Sequence, residues 1–347
     1  MDQRWDAVFK KLGHTQRNLL LALTFLLAIL LLGHVVGPYN QNQIAVALTL
    51  FIGVLSINIL TGLSGQLSLG QSALMAIGGY SCGLLMTKLG INMWLAIPLS
   101  AIAAALAGLL LGAVAAKLSG PYLAGTTLVL ALALPTVANR FESVFGGESG
   151  ISIDTGTPPQ WIIALLGDIS FEEWQILVTL PFAVLALYVA ANLFSSRSGR
   201  SWRAVRDHES AASLMGINVA RTKILVFVIS SSFAGIAGAL YGLRGFVGTS
   251  VFPIALSLSL LTGSILGGMR TLLGAGIGSI VIVFLPDWIG KLEEPFQFPD
   301  QITNYLPGLV TGLLLVLTVV INPGGIASSV YGLLAHLRAK KSPTSEK

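Results

Sequence analysis

The chain has 347 residues, of which 54% are hydrophobic and only 10% charged, with a formal net charge of +5 and a mean hydropathy of +0.81. Soluble domains carry about 25% charged residues, so this composition excludes a soluble fold that could cover itself with polar surface. The basic residues gather in loops and tails, where they set membrane topology, and this excludes nucleic acid as the partner.

Arg4, Lys10, Lys11 and Arg17 precede the first apolar run, in the manner of a signal-peptide n-region. That run is close to full span length, lacks a small-residue cleavage site and precedes many more, so it is expected to be retained as a first membrane helix. A helix needs about 20 mostly apolar residues to cross the hydrocarbon core. Runs that meet or approach this are Leu19–Val36, Ile44–Leu60, Leu67–Thr87, Met93–Ala116, Leu123–Ala138, Trp174–Leu193, Ile224–Leu243, Pro253–Gly268, Leu272–Ile289 and Leu306–Ile321. The expectation is an all-α polytopic membrane protein of about ten transmembrane or re-entrant helices, both termini cytoplasmic. One membrane domain covers residues 19–326, with tails at 1–18 and 327–347. Gly, Ser and Gln crowd Gly62–Gly70, so the third element is expected to be broken or re-entrant.

Loop charges fit an even count. The N-terminal tail, the loop 195–223 and the tail with Arg338, Lys340, Lys341 and Lys347 are basic. The Arg140–Glu173 loop carries Glu142, Glu148, Asp154, Asp168, Glu172 and Glu173, and the loop after Ile289 carries Glu293, Glu294 and Asp300. Ten spans place every basic cluster inside and both acidic loops outside, leaving Lys88 and Arg244 as isolated outer charges. Four-residue spacings at Gly108/Gly112, Gly238/Gly242, Gly263/Gly267 and Gly274/Gly278 line small residues on one helix face and predict close helix contacts. The single cysteine, Cys82, has no disulfide partner in the chain and reads as a packing residue.

Catalytic and nucleotide-binding patterns are missing. LSGQL at Leu63–Leu67 lacks the second adjacent glycine of an ABC ATPase signature, GAGIG at Gly274–Gly278 follows no strand, and no GxxxxGK[ST] loop occurs. His14, His34, His208 and His336 are not spaced as metal ligands. No enzyme activity, metal or cofactor is therefore expected. Ion-coupled carriers usually hold ionisable groups within the bilayer, whereas Asp287, Lys88, Lys117, Arg244 and Arg270 all map to span ends.

Two segments carry functional signal. In Thr61–Ala73, the uncharged side chains of Ser64, Gln66, Ser68, Gln71 and Ser72 alternate with glycines. Irregular backbone at membrane depth is tolerated only where it is buried in protein or lines a watery cavity, so this segment is either a pathway lining or polar glue between helices. The loop 195–223 carries Arg197, Arg200, Arg203, Arg206, Arg221 and Lys223 against Asp207 and Glu209. Within it, Trp202–Met215 is expected to form one short helix ended by Gly216 in a left-handed cap. Such a helix could dock on a cytoplasmic partner; the plainer reading is a solvated loop that sets topology. FGGESGISI at Phe145–Ile153 is a tight outer turn that could meet an external partner.

Several motifs together resemble the permease subunits of branched-chain amino acid ABC importers, the LivM-like family. They are GLSGQLSLGQSALMAIGGYSCGLL, the FGGESGIS loop, GRSWRAVRDHESAASLMGINVARTKILVFVISSSFAGIAGALYG, LGGMRTLLGAGIGSIVIVFLPDWI and the closing NPGGI, across about Gly62–Ile326. The resemblance implies that loop 195–223 holds an EAA-type coupling helix seated in a groove of an ATPase. Glu209, Ala211, Ala212 and Gly216 match that motif, although Ser210 separates the glutamate from the alanine pair. Arg203 and Arg206 are expected at the groove rim. The implied partners are two cytoplasmic ABC ATPase subunits, a second related permease, an extracytoplasmic solute-binding protein and membrane lipid, in the bacterial inner membrane. The implied solute is a branched-chain or other neutral amino acid; urea or a short amide, or an ion-coupled carrier, are the competing readings.

Overall fold

The computed structural model describes residues 13–293 and 306–339, apart from 119, 154, 157, 168 and 323. Arg4, Lys10, Lys11, Asp154, Asp168, Glu294, Asp300, Lys340, Lys341 and Lys347 lie outside the described residues. Apolar residues surround most helices on every side, as expected for helices buried in lipid or in one another. In chain order they are α1 (His14–Val35), α2 (Pro38–Ile57) running into a π-helical turn (Asn58–Leu63), α3 (Gln71–Leu89), α4 (Met93–Ala115), α5 (Pro121–Arg140) and the short α6 (Glu142–Phe145). Then come α7 (Gln160–Leu166), α8 (Phe171–Ser195), α9 (Arg197–Asp207), α10 (Glu209–Leu214), α11 (Val219–Gly242), α12 (Ile254–Gly267), α13 (Leu272–Glu293), α14 (Leu306–Ile321) and α15 (Gly325–Ala339).

The chain is thus an all-α polytopic membrane protein. Each apolar run of the sequence became a helix, but they are not ten equal spans. Seven described helices are long and apolar enough to cross a membrane, or eight if Gly308–Ile321 and Gly325–Leu333, bent by 54°, count as one span. α12 has 14 residues, because Pro253 opens it and Gly268, at φ +114°, closes it. α3 has 19 residues but opens with Gln71 and Ser72, which dilute its apolar character. The expected break before α3 is present: Gly65 at φ +74° turns the chain out of the π turn, and residues 65–70 follow no helix.

Polar caps start the helices where the sequence supplies them. Asn92 Oδ1 accepts from the N–H of Trp94 at 3.0 Å, Ser170 Oγ from that of Glu173 at 3.1 Å and Asn218 Oδ1 from that of Arg221 at 2.9 Å, each satisfying one orphan donor of a first turn. α2 and α11 form the centre: 89% of the α2 span and 61% of the α11 span are buried within the chain. α11 packs on α4, α3 and α2; α2 also packs on α8 and α13, and α12 on α13.

Glycines set these crossings. A Cβ on Gly238 would overlap the Met75 carbonyl, one on Gly108 the Ser231 hydroxyl, and one on Gly267 the Gly274 carbonyl. The four-residue glycine spacings are therefore close contacts inside one bundle. At the far end of α11, Ile151–Ser152 and Phe246–Val247 pair as a small antiparallel ribbon, Ile151 opposite Val247. This ties the FGGESGIS turn to the α11–α12 connection. α11 has 24 residues, about 36 Å at 1.5 Å per residue, so the ribbon and loop 195–223 lie at opposite ends of the bundle.

Candidate functional site

Loop 195–223 folds into two helices, not the single Trp202–Met215 helix expected. Ser196 caps α9, its Oγ accepting from Gly199 N–H at 2.9 Å. His208, at φ −154° and ψ 100°, then breaks the helix before α10. Charge pairs on either side hold the break. Asp207 turns back to Arg206 at 2.8 Å, while Glu209 turns forward to Lys223 at 2.7 Å. Gly216, at φ +82°, ends α10 in a full Schellman turn: its N–H donates to Ser213 C=O and the Ile217 N–H to Ala212 C=O, both at 3.0 Å.

The arginines expected at a partner's rim reach into their own chain. Arg203 Nη2 donates to the Phe194 carbonyl at 3.3 Å. Arg206 Nη1 donates to the Gly62 carbonyl in the π turn at 2.6 Å. Of the alanine pair, Ala212 is buried and only Ala211 is exposed. The side chains that stand out most are Leu214, 89% exposed, and Met215, 85% exposed. α10 is therefore a short apolar knob, braced from behind by Arg206 and Lys223.

The bracing leads to the buried polar segment. Ser64, Gln66, Ser68, Gln71 and Ser72 are all buried. Ser64 Oγ donates to the Leu60 carbonyl at 2.6 Å. Gln66 Nε2 donates to Ser64 Oγ at 2.8 Å and to the Lys223 carbonyl at 3.3 Å. Ser68 Oγ accepts from the Gly70 N–H at 3.3 Å. Gln71 Nε2 bridges Ser56 Oγ at 2.5 Å and Ser230 Oγ at 3.3 Å. Ser257 Oγ accepts from the Ser72 N–H at 2.7 Å and donates to Ser72 Oγ at 2.8 Å. Four elements, α2, α3, α11 and α12, thus meet through neutral hydrogen bonds, with Gln66 Oε1 and Gln71 Oε1 left as buried acceptors without a partner.

The other half of this crossing comes from residues that form no cluster in the sequence. Ser264 Oγ donates to Asn58 Oδ1 at 2.6 Å, and Asn58 Nδ2 donates to the Thr271 carbonyl at 3.0 Å. Ser56, Asn58, Ser230, Ser257 and Ser264 are all buried. Their signal was present as isolated polar residues inside apolar runs. Arg244, expected as an isolated outer charge, turns inward: Nη2 donates to Asn42 Oδ1 at 2.6 Å, and burial pushes the guanidinium pKa below its ordinary value. Asp287 is likewise engaged, accepting from Tyr39 at 2.8 Å and Gln43 at 2.7 Å.

Residues 41–319 match the family described as branched-chain amino acid transport system / permease component. The high-affinity branched-chain amino acid transport system permease protein LivM of Salmonella typhimurium is 30% identical over 285 residues, which cover 76% of this chain and 64% of LivM. LivH of the same organism is 27% identical over 57% of this chain and 62% of LivH. The autoinducer 2 import system permease protein LsrC of Klebsiella pneumoniae is 31% identical over 55% of this chain and 57% of LsrC. This chain spans less than two thirds of the length of each of these relatives. No solved structure matches it. With the family match running from α2 to α14 over an all-helical polytopic fold, the chain belongs to the permease component family of branched-chain amino acid transport systems, as a multi-pass protein of the bacterial inner membrane.

Proposed function

We propose that this chain is the membrane permease subunit of an ATP-driven importer for a neutral solute, with branched-chain amino acids as the first choice. Two cytoplasmic ABC ATPase subunits supply the work, a second related permease completes the pathway, and an extracytoplasmic binding protein delivers the solute. Both termini and loop 195–223 lie on the cytoplasmic side. The chain itself performs no reaction on the solute.

The observation that carries this reading is α10. Leu214 and Met215 project from a six-residue helix closed by the Schellman turn at Gly216. Exposed apolar side chains on a short rigid support suit a groove in a soluble partner. Arg206 connects that support to the π turn, and Glu209 connects it to the start of α11. Displacement of α10 is therefore transmitted to the crossing of α2, α3, α11 and α12, where solute access is governed. The neutral side chains there suit a solute without net charge. The likeness to LsrC favours a second reading, in which the same machinery carries another small neutral solute.

The test uses the chain co-expressed with ATPase, second permease and binding protein. Replacing both Leu214 and Met215 with Asp is expected to abolish co-purification of the ATPase and ATP-dependent uptake together. Intact association with full uptake would remove α10 from the coupling role. Uphill transport by vesicles that hold only the purified chain would overturn the importer reading altogether.

A further inference from the structure

Arg244 presents a charge without compensation. Its Nη2 is satisfied by Asn42, but its Nη1 is shut away from solvent and has no hydrogen-bond partner. No described carboxylate forms an ion pair with it. The indole N–H of Trp174, a residue 1% exposed, is also without a partner. Arg244 and Trp174 line the same void, with Thr49, Gln175 and Thr179 completing much of the wall. Both orphan groups are donors, and donors alone call for an acceptor. Burying a cation is unfavourable unless a charge of opposite sign accompanies it. A water molecule would satisfy an N–H, but it would leave the charge uncompensated.

The room available narrows the choice. The void measures about 10 Å³, the space of a single water-sized centre. That is the size of one small particle, and a halide, slightly larger than water, enters with a small outward shift of the lining side chains. Trp174 and Thr155 also form a wall of a much wider crevice, about 510 Å³, beside the FGGESGIS ribbon. A larger ligand in that crevice is one side chain away from Arg244.

We propose that Arg244 Nη1 and Trp174 Nε1 together bind one small monovalent anionic group at the ribbon end of the bundle. The group is either a halide ion held in the small void or the carboxylate of an amino acid entering from the crevice. Guanidinium N–H donors and an uncharged indole donor suit a single negative charge, and Thr155 and Thr179 stand on the same wall. The halide form stands by itself. The carboxylate form rests on the amino-acid reading above, in which a zwitterion arrives from this end.

The purified 347-residue chain, exchanged into methanesulfonate buffer, is titrated with sodium chloride, with leucine and with leucinamide. Trp174 is the reporter, read as the fluorescence of the wild type minus that of Trp174→Phe, and the thermal midpoint is recorded in parallel. A saturable fluorescence change with a raised midpoint is expected for chloride or leucine, and neither is expected in Arg244→Gln. In Arg244→Lys, which keeps the charge but loses the fork, binding is expected to weaken at least about tenfold, as for one lost charge-assisted hydrogen bond; this variant serves if Arg244→Gln does not fold. A response to chloride alone assigns the site to an inorganic anion. A response to leucine and not to leucinamide assigns it to the carboxylate. No saturable response to either, or an unchanged response in folded Arg244→Gln, overturns the proposal. ATP-dependent uptake by the assembled importer is measured separately, so failure of the anion site and failure of the importer reading are told apart.

Discussion

Lys223 and Glu209 approach to 2.7 Å across the turn between α10 and α11, and Lys223 is the buried member, its side chain 6% exposed against 50% for Glu209. Removing the carboxylate leaves the ammonium buried without its counter-charge. Because Glu209 is half exposed, solvent screens the pair, and Glu209→Gln is expected to cost about 1–2 kcal/mol. A thermal melt of the purified chain gives the value. In a double-mutant cycle with Lys223→Met, the double variant should be more stable than the sum of the single changes predicts. Additive effects would show that the pair contributes nothing.

Arg206 is the second brace. Its guanidinium serves the Gly62 carbonyl and Asp207 at once, a division that a lysine cannot reproduce. Arg206→Lys is expected to leave ATPase association intact and to lower ATP-dependent uptake by about tenfold or more, the equivalent of one charge-assisted hydrogen bond. ATP turnover that continues without solute movement is the expected signature. Loss of ATPase binding instead would place Arg206 in the docking surface.

Close helix contact predicts a contrast between two glycines. A Cβ at Gly62 would overlap the Met269 carbonyl, whereas one at Gly276 in α13 would meet nothing within 4 Å. Gly62→Ala should destabilise by about 1–3 kcal/mol, since backbone must move to relieve the overlap. Gly276→Ala should stabilise the helix by roughly 0.5–1 kcal/mol. Melting midpoints that move together in both variants would refute the assignment.

Gly216 is unobstructed, so any penalty for a side chain there is conformational. At φ +82°, alanine is expected to cost about 1–2 kcal/mol, concentrated in α10. Asparagine, which tolerates the left-handed region, should cost less. Co-purification of the ATPase should therefore fall in the order Gly, Asn, Ala, while the global midpoint changes little.

Gln71 offers a test of the buried crossing. Ser56 and Ser230 retain acceptors at the Gly53 and Ser56 carbonyls if the amide is removed. Gln71→Leu should therefore stay within about 1 kcal/mol of wild-type stability. Uptake is expected to fall sharply if the segment lines the pathway; normal uptake would mark it as glue between helices.

What could be read from the sequence follows from where each determinant lies. Helices α1, α2 and α4 are set by long apolar runs and were legible as such. The short length of α12 was not, because Pro253 and Gly268 sit at the ends of a run that hydropathy alone treats as continuous. Gly216 announced its own conformation. The break at His208 could not be read, since Asp, His and Glu all tolerate a helix. It depends on Arg206 and Lys223, and Lys223 approaches only once α11 is folded. The same holds for Arg244: its position at a span end was visible, but its inward turn toward Asn42 depends on α2 packing beside α11. Ser64, Gln66, Ser68, Gln71 and Ser72 stand out because they cluster; Ser230 in one apolar run, and Ser257 and Ser264 seven residues apart in another, do not.

The hydrogen bonds that join α2, α3, α11 and α12 run between hydroxyls, amides and backbone carbonyls, so the crossing has no net charge. An elementary charge moved through 100 mV of transmembrane potential exchanges about 2.3 kcal/mol with the field; a neutral crossing exchanges almost nothing when its helices shift. Voltage across the membrane therefore acts on such a shift through the charges at the helix ends, such as Arg206 and Arg244, and not through the crossing itself.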